Sequence, residues 1–133
     1  MINYGKQFID EDDIKAVKNV LKSKFITQGP LVEKFEKKLK FYFGSKYCCA
    51  VSSGTAALHL AGLSLSWKKN DYVLTTPISF LATSNSILYS NAHPVFVDID
   101  ENTYNIDENL VEKTILKLRK TNKNIKALIA TDF

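Results

Sequence analysis

Apolar residues recur along this chain in two rhythms. Over the first 45 positions the spacing is helical, with Ile14, Val17 and Leu21 in one stretch and Val32, Phe35 and Leu39 in the next. Asp10 precedes the first stretch and Glu11, Asp12 and Asp13 follow it, the pattern of a capped helix with acids on its positive end. Gly29-Pro30 separates the two stretches, and proline suits the first turn of a second helix that ends near Gly44. The loop Phe25-Ile26-Thr27-Gln28 between them is apolar enough to need a packing partner or a ligand.

From Tyr47 onward, short apolar runs alternate with longer helical stretches. Strands are expected at about 47–51, 72–76, 94–98 and 125–130, and helices at about 55–66, 80–91 and 107–120, the last capped by Asp107. The alternation predicts an α/β fold, a three-layer arrangement of mostly parallel strands with flanking helices. Tyr72-Val73-Leu74 and Pro94-Val95-Phe96-Val97 are apolar on both faces and read as buried strands. The expected organisation is a helical segment over 1–45 and an α/β unit over 46–133.

In such sheets ligands sit at the carboxyl ends of the strands. Three loops are expected at that edge: Ser52–Ala56, Thr76–Phe80 and Asp98–Asp100. In the first, a strand-former run leads into Ser53-Gly54-Thr55-Ala56-Ala57-Leu58. Ser53 and Thr55 are natural caps, Gly54 allows close approach of a ligand, and a helix start suits a phosphate. The same residues read equally well as an ordinary helix cap. Phe80 either closes a helix onto the sheet as a core aromatic or stands beside the phosphate position as a ring platform. The second pairing describes a site for a phosphorylated planar ring.

Composition narrows the classes. A content of 45% hydrophobic and 24% charged residues is that of an ordinary globular protein, and no apolar run is long enough to span a membrane. The start Met1-Ile2-Asn3-Tyr4 turns acidic, unlike a signal peptide, so the cytoplasm is the expected compartment. The net charge of +4 is carried by lysines interleaved with acids along helices, which argues for solvated faces and against a nucleic-acid surface. Arg119 is the only arginine, leaving no bidentate clamp for a small carboxylate. Cys48 and Cys49 are adjacent in an expected buried strand, facing opposite ways, so no disulfide is expected. His59 and His93 are too few and too poorly accompanied for a metal site and read as structural. No GxGxxG, P-loop or G-x-S-x-G pattern is present, so neither dinucleotide binding nor hydrolysis gains support.

Five blocks in order resemble the DegT-type sugar aminotransferases. They are Asn3–Asp10, Phe25–Pro30, Ser53–Leu60, Thr75–Asn85 and Pro94–Asp100. The resemblance covers the whole chain. It implies the aspartate-aminotransferase fold (fold type I), of which this chain would be the N-terminal part of the large domain, with pyridoxal 5'-phosphate as cofactor and a homodimer at full length. Within the family, Thr27-Gln28-Gly29-Pro30 and Thr75–Phe80 resemble members that aminate the C4 ketone of a UDP-linked 4-keto-6-deoxy-N-acetylhexosamine, with glutamate as amino donor.

Carried over by position, Gly54, Thr55 and Ala56 would hold the cofactor phosphate and Phe80 would stack on its ring. Tyr4, Lys24, Phe25, Ile26, Thr27 and Ser53 would touch the nucleotide sugar; Tyr4 also reads as an aromatic plug on the surface. The Schiff-base lysine and the carboxylate on the pyridinium nitrogen would lie beyond Phe133, and Asp132 would not be that carboxylate. The resemblance therefore implies that these 133 residues alone lack transaminase activity, bind cofactor weakly at most and expose an unpaired strand that favours aggregation. A same-family dehydratase, with histidine for the lysine, and a non-catalytic binding or regulatory remnant are the alternative functions.

Overall fold

The computed structural model describes residues 5–132, which form two compact units divided after Ala50. The first holds helices α1 (Glu11–Leu21) and α2 (Pro30–Phe43). Asp10 caps α1 as expected: its Oδ1 accepts the amides of Asp12 and Asp13, both at 3.0 Å, while Asp13 accepts the amide of Asp10 at 3.1 Å. This reciprocal box satisfies donors that a helix start otherwise leaves open. Pro30 starts α2, and Gly44 ends it at a φ of 62°, a backbone angle that favours glycine. Neither helix buries a residue, and Phe35, Phe41, Tyr42 and Phe43 stand exposed.

The strand expected at 47–51 does not form. A strand exists through its ladder, and this segment pairs with none among the described residues. The amide of Ala50 donates instead to the Glu36 carboxylate at 2.8 Å. Cys48 is consequently only half-buried and Cys49 exposed; both thiols are free.

The second unit contains α3 (Gly54–Ser64), β1 (Asp71–Thr75), α4 (Ala82–Tyr89), β2 (His93–Phe96), α5 (Glu108–Lys120) and β3 (Asn124–Ile129). The strands form a parallel sheet in the order β2-β1-β3. The chain steps from β1 to one side and then back to the other, so right-handed crossovers put α4 and α5 on opposite faces. Val73 pairs with Pro94 and Ala127, and its face packs with Trp67, Ile87 and Ala92 as the core. Val73 and Leu74 are fully buried as expected for the central strand. β2 is not buried on both faces: it lies at the sheet edge, and Phe96 is exposed.

Three returns from helix to strand use one device. After α3, α4 and α5, the residues Ser66, Asn91 and Asn122 adopt positive φ values of 56°, 59° and 55°. In each return the amide at that residue and the next reach back three and five residues, as in Ala92 to the Ile87 carbonyl at 3.1 Å. These are Schellman caps, and asparagine tolerates the left-handed angle at low cost. Asp71, buried at the start of β1, accepts the Lys68 amide and the Asn124 side-chain amide, tying the amino ends of β1 and β3. No helix among the described residues is long and apolar enough to cross a membrane.

Candidate functional site

Helices α3 and α4 pack against each other, and their contacts fix a common direction. Gly62, near the end of α3, lies against Ser90, the residue that ends α4. Three residues before Gly62 and one before Ser90, the rings of His59 and Tyr89 meet edge-on at 5.5 Å. C-terminal ends therefore meet C-terminal ends. At 1.5 Å per residue, Gly54 stands about 12 Å before Gly62 and Ala82 about 12 Å before Ser90, so both helix starts lie on the same side of that contact. Since α4 runs back from the carboxyl end of β1, both starts lie at the carboxyl edge of the sheet.

At the start of α3, Ser53 is the cap, and its Oγ accepts the Ala56 amide at 3.2 Å. That amide is already satisfied. The amides of Gly54 and Thr55 have no acceptor among the described residues, and they carry the positive end of the helix. Gly54 does not take a positive φ, so its backbone freedom is not what the turn uses. A β-carbon on it would meet no protein atom within 4 Å, which leaves open the approach that a ligand would need. Thr55 and Ala56 are half-buried.

Phe80 is not in a helix, since α4 begins at Ala82, and it is not in the core. Its side chain is 78% exposed. It borders a small cavity of about 250 Å³ with Thr76, Pro77, Ser79, Ser84 and Phe96. Gly54, Thr55 and Ala56 do not line that cavity. An exposed phenylalanine on a loop at the edge where ligands bind is an available aromatic face, not a packing element.

The third loop, Asp98–Asp100, is closed on itself. Asp100 Oδ1 accepts the amides of Asn102 and Thr103, each at 2.9 Å, and Asp98 Oδ1 accepts the Ile99 amide at 2.9 Å. The Thr103 and then the Asn102 amide hold the Asp100 carboxyl below its ordinary range. No cluster of metal-binding side chains occurs among the described residues. His59 packs on Tyr89, and His93 stacks on Tyr72 at 5.1 Å.

In the first unit, Lys24, Phe25, Ile26 and Thr27 form the turn between α1 and α2, all exposed. Ser23 pins the turn: its Oγ donates to the Phe25 carbonyl at 3.1 Å and accepts the Phe25 amide at 3.3 Å. Phe25 and Ile26 border an apolar cavity of about 590 Å³ with Ala16, Val20, Pro30 and Leu31. Tyr4 lies outside the described residues.

The sequence reading missed the hydroxyls that surround the base of Phe80. Ser79 Oγ lies 2.6 Å from Thr83 Oγ1 and accepts from Thr131 Oγ1 at 3.2 Å. A signal was present, because Thr131 follows a strand at the edge where ligands bind.

Comparison with known proteins agrees in sequence and in fold. The DegT/DnrJ/EryC1/StrS aminotransferase family model matches residues 7–133. The chain is 42% identical over its whole length to a UDP-4-amino-4,6-dideoxy-N-acetyl-beta-L-altrosamine transaminase from Campylobacter jejuni, of which it covers 34%. Helicobacter pylori PseC, an aminotransferase involved in the biosynthesis of pseudoaminic acid, superposes with a TM-score of 0.80 at 36% identity, over 96% of this chain and 33% of that one. The PMP-form of a sugar aminotransferase from Streptococcus pneumoniae gives a TM-score of 0.85 at 29% identity, over 97% of this chain and 31% of that one. The chain thus spans about a third of the length of these relatives. The match over nearly every residue settles one question: this chain belongs to the DegT/DnrJ/EryC1/StrS aminotransferase family.

Proposed function

We propose that this chain supplies part of the cofactor and substrate site of a pyridoxal 5'-phosphate-dependent aminotransferase acting on a nucleotide-linked 4-keto-6-deoxy sugar. Glutamate is the proposed amino donor, and a cytoplasmic homodimer is the proposed working form. The carrying observation is the packing of α3 and α4 end to like end, which puts the unpaired Gly54 and Thr55 amides at the same edge of the sheet as the loop that bears Phe80.

The residues fit the cofactor. The amides of Gly54 and Thr55, at the positive end of α3, bind the phosphate, and the open space at Gly54 lets it approach. Ala56 contributes less than the sequence suggests, because Ser53 occupies its amide. Phe80 would offer its exposed face to the pyridine ring. When bound, the cofactor supplies the electron sink that lets an amino group pass between carbon skeletons. This chain's task in that exchange is binding and orientation. Ser53 retains a hydroxyl proton to offer the sugar, and Lys24, Phe25, Ile26, Thr27 and Tyr4 are the remaining proposed substrate contacts.

The relative from Campylobacter jejuni supports the choice of substrate through its name and its 42% identity. The test is to incubate the full-length protein and pyridoxal 5'-phosphate with a UDP-linked 4-keto-6-deoxy-N-acetylhexosamine and glutamate. Formation of 2-oxoglutarate in step with the amino sugar is the expected result. A folded, cofactor-loaded protein that eliminates water from the sugar without transferring nitrogen would overturn the reading.

A further inference from the structure

We propose that Thr131 and Ser79 are positioning residues for the aromatic platform: a clasp of three hydroxyls, completed by Thr83, fixes the loop that presents Phe80 to the cofactor. The inference rests on the site reading above and adds residues that this reading does not use. It starts from a physical difficulty. Phe80 is 78% exposed, so packing does not hold it, yet a stacking face must stand still to bind a ring well.

Hydrogen bonds must therefore hold the loop. Two of them are local: the Ile78 amide donates to Thr76 Oγ1 at 3.3 Å, and the Thr83 amide donates to the Phe80 carbonyl at 2.9 Å. Residues 77–80 make one hydrogen bond, among the described residues, that leaves this loop and its helix. It joins Thr131 Oγ1, just beyond β3, to Ser79 Oγ at 3.2 Å. The bond ties together segments 52 positions apart in the chain.

Ser79 is the hub. A serine hydroxyl has one proton and two lone pairs. That proton is within reach of the Phe80 carbonyl at 3.3 Å and of Thr83 Oγ1 at 2.6 Å. Either hydroxyl can donate across the 2.6 Å contact between Ser79 and Thr83, and Thr131 donates to Ser79 across 3.2 Å. Ser79 thus has three partners, and one of them is the backbone of Phe80 itself. Thr83 is buried and Ser79 and Thr131 are half-buried, so water competes poorly for these bonds.

The test is titration of the full-length protein with pyridoxal 5'-phosphate, followed by absorbance and by the circular dichroism of the bound ring. Thr131→Val keeps the shape and removes the hydroxyl; Thr131→Ser keeps the hydroxyl. Thr131→Val and Ser79→Ala are expected to weaken binding about three- to tenfold, the loss of one hydrogen bond, and to reduce the ring's dichroism. Thr131→Ser restores both signals. Wild-type binding with an unaltered affinity and dichroism in Thr131→Val overturns the clasp and leaves the site reading intact. Equal losses in Thr131→Val and Thr131→Ser also overturn it, because bulk and not the hydroxyl would then matter. A folded wild-type protein that fails to bind the cofactor overturns the site reading and the clasp together.

Discussion

Gly62 lies so close to Trp67 that a β-carbon on it would stand 2.6 Å from Cε3 of the indole and 2.8 Å from Ser90 Oγ. The serine could rotate away. The indole cannot, since it belongs to the buried core with Val73 and Ile87. Overpacking against a fixed indole at 2.6 Å falls at the upper end of the usual range, about 2–3 kcal/mol, and the better helix propensity of alanine offsets about 1. Gly62→Ala is expected to lower stability by a net ~1–2 kcal/mol, read from urea unfolding by the fluorescence of Trp67. An unchanged midpoint would contradict the close packing at the contact of α3 and α4.

Ser53 separates two roles of the α3 start. Ser53→Ala loses the cap on Ala56 and should cost about 1 kcal/mol. Ser53→Asp keeps an acceptor there and should preserve the melting temperature. Its negative charge stands beside the amides proposed to hold a phosphate, so affinity for pyridoxal 5'-phosphate should fall steeply. Equal affinity in Ser53→Asp and wild type would place the phosphate elsewhere.

Phe80→Ala should leave the stability of the cofactor-free protein nearly unchanged, because the ring is 78% exposed. Cofactor affinity should fall about two- to tenfold, the usual worth of an aromatic stack. Phe80→Trp should retain it. A large stability loss in Phe80→Ala would return this side chain to the core.

Asp100 makes stability depend on acid. Its carboxyl is held low by the Thr103 and Asn102 amides, so its contribution is full above the unfolded value of about 4 and disappears as pH falls through the folded value. Denaturation midpoints measured from pH 5 down to pH 2 should fall less steeply in Asp100→Asn than in wild type. Parallel slopes would show that the two amide bonds do not favour the charged form.

Much of this fold is legible in the sequence, because capping and periodicity are local. Asp10, Gly29-Pro30, Gly44 and Asp107 mark helix ends where the structure has them. The segment 47–51 reads as a strand because its composition is right, but a strand needs a neighbour and composition does not supply one. Phe96 reads as buried for the same reason: position in the sheet, not residue type, decides burial. At the proposed site, Ser53, Gly54 and Thr55 stand out because cap residues cluster before a helix-forming run, and Phe80 because it is an aromatic in the loop after an apolar strand. Thr131 does not, since its bond to Ser79 joins distant segments and hydroxyls are common in loops.

The amides of Gly54 and Thr55 are the proposed contacts of the cofactor phosphate. Backbone amide resonances of the full-length protein, followed during titration with pyridoxal 5'-phosphate, test this assignment most directly. Gly54 and Thr55 are expected to shift first and furthest, with Ala56 moving less because Ser53 holds its amide. Saturable binding that moves other amides and leaves Gly54 and Thr55 in place would contradict the assignment.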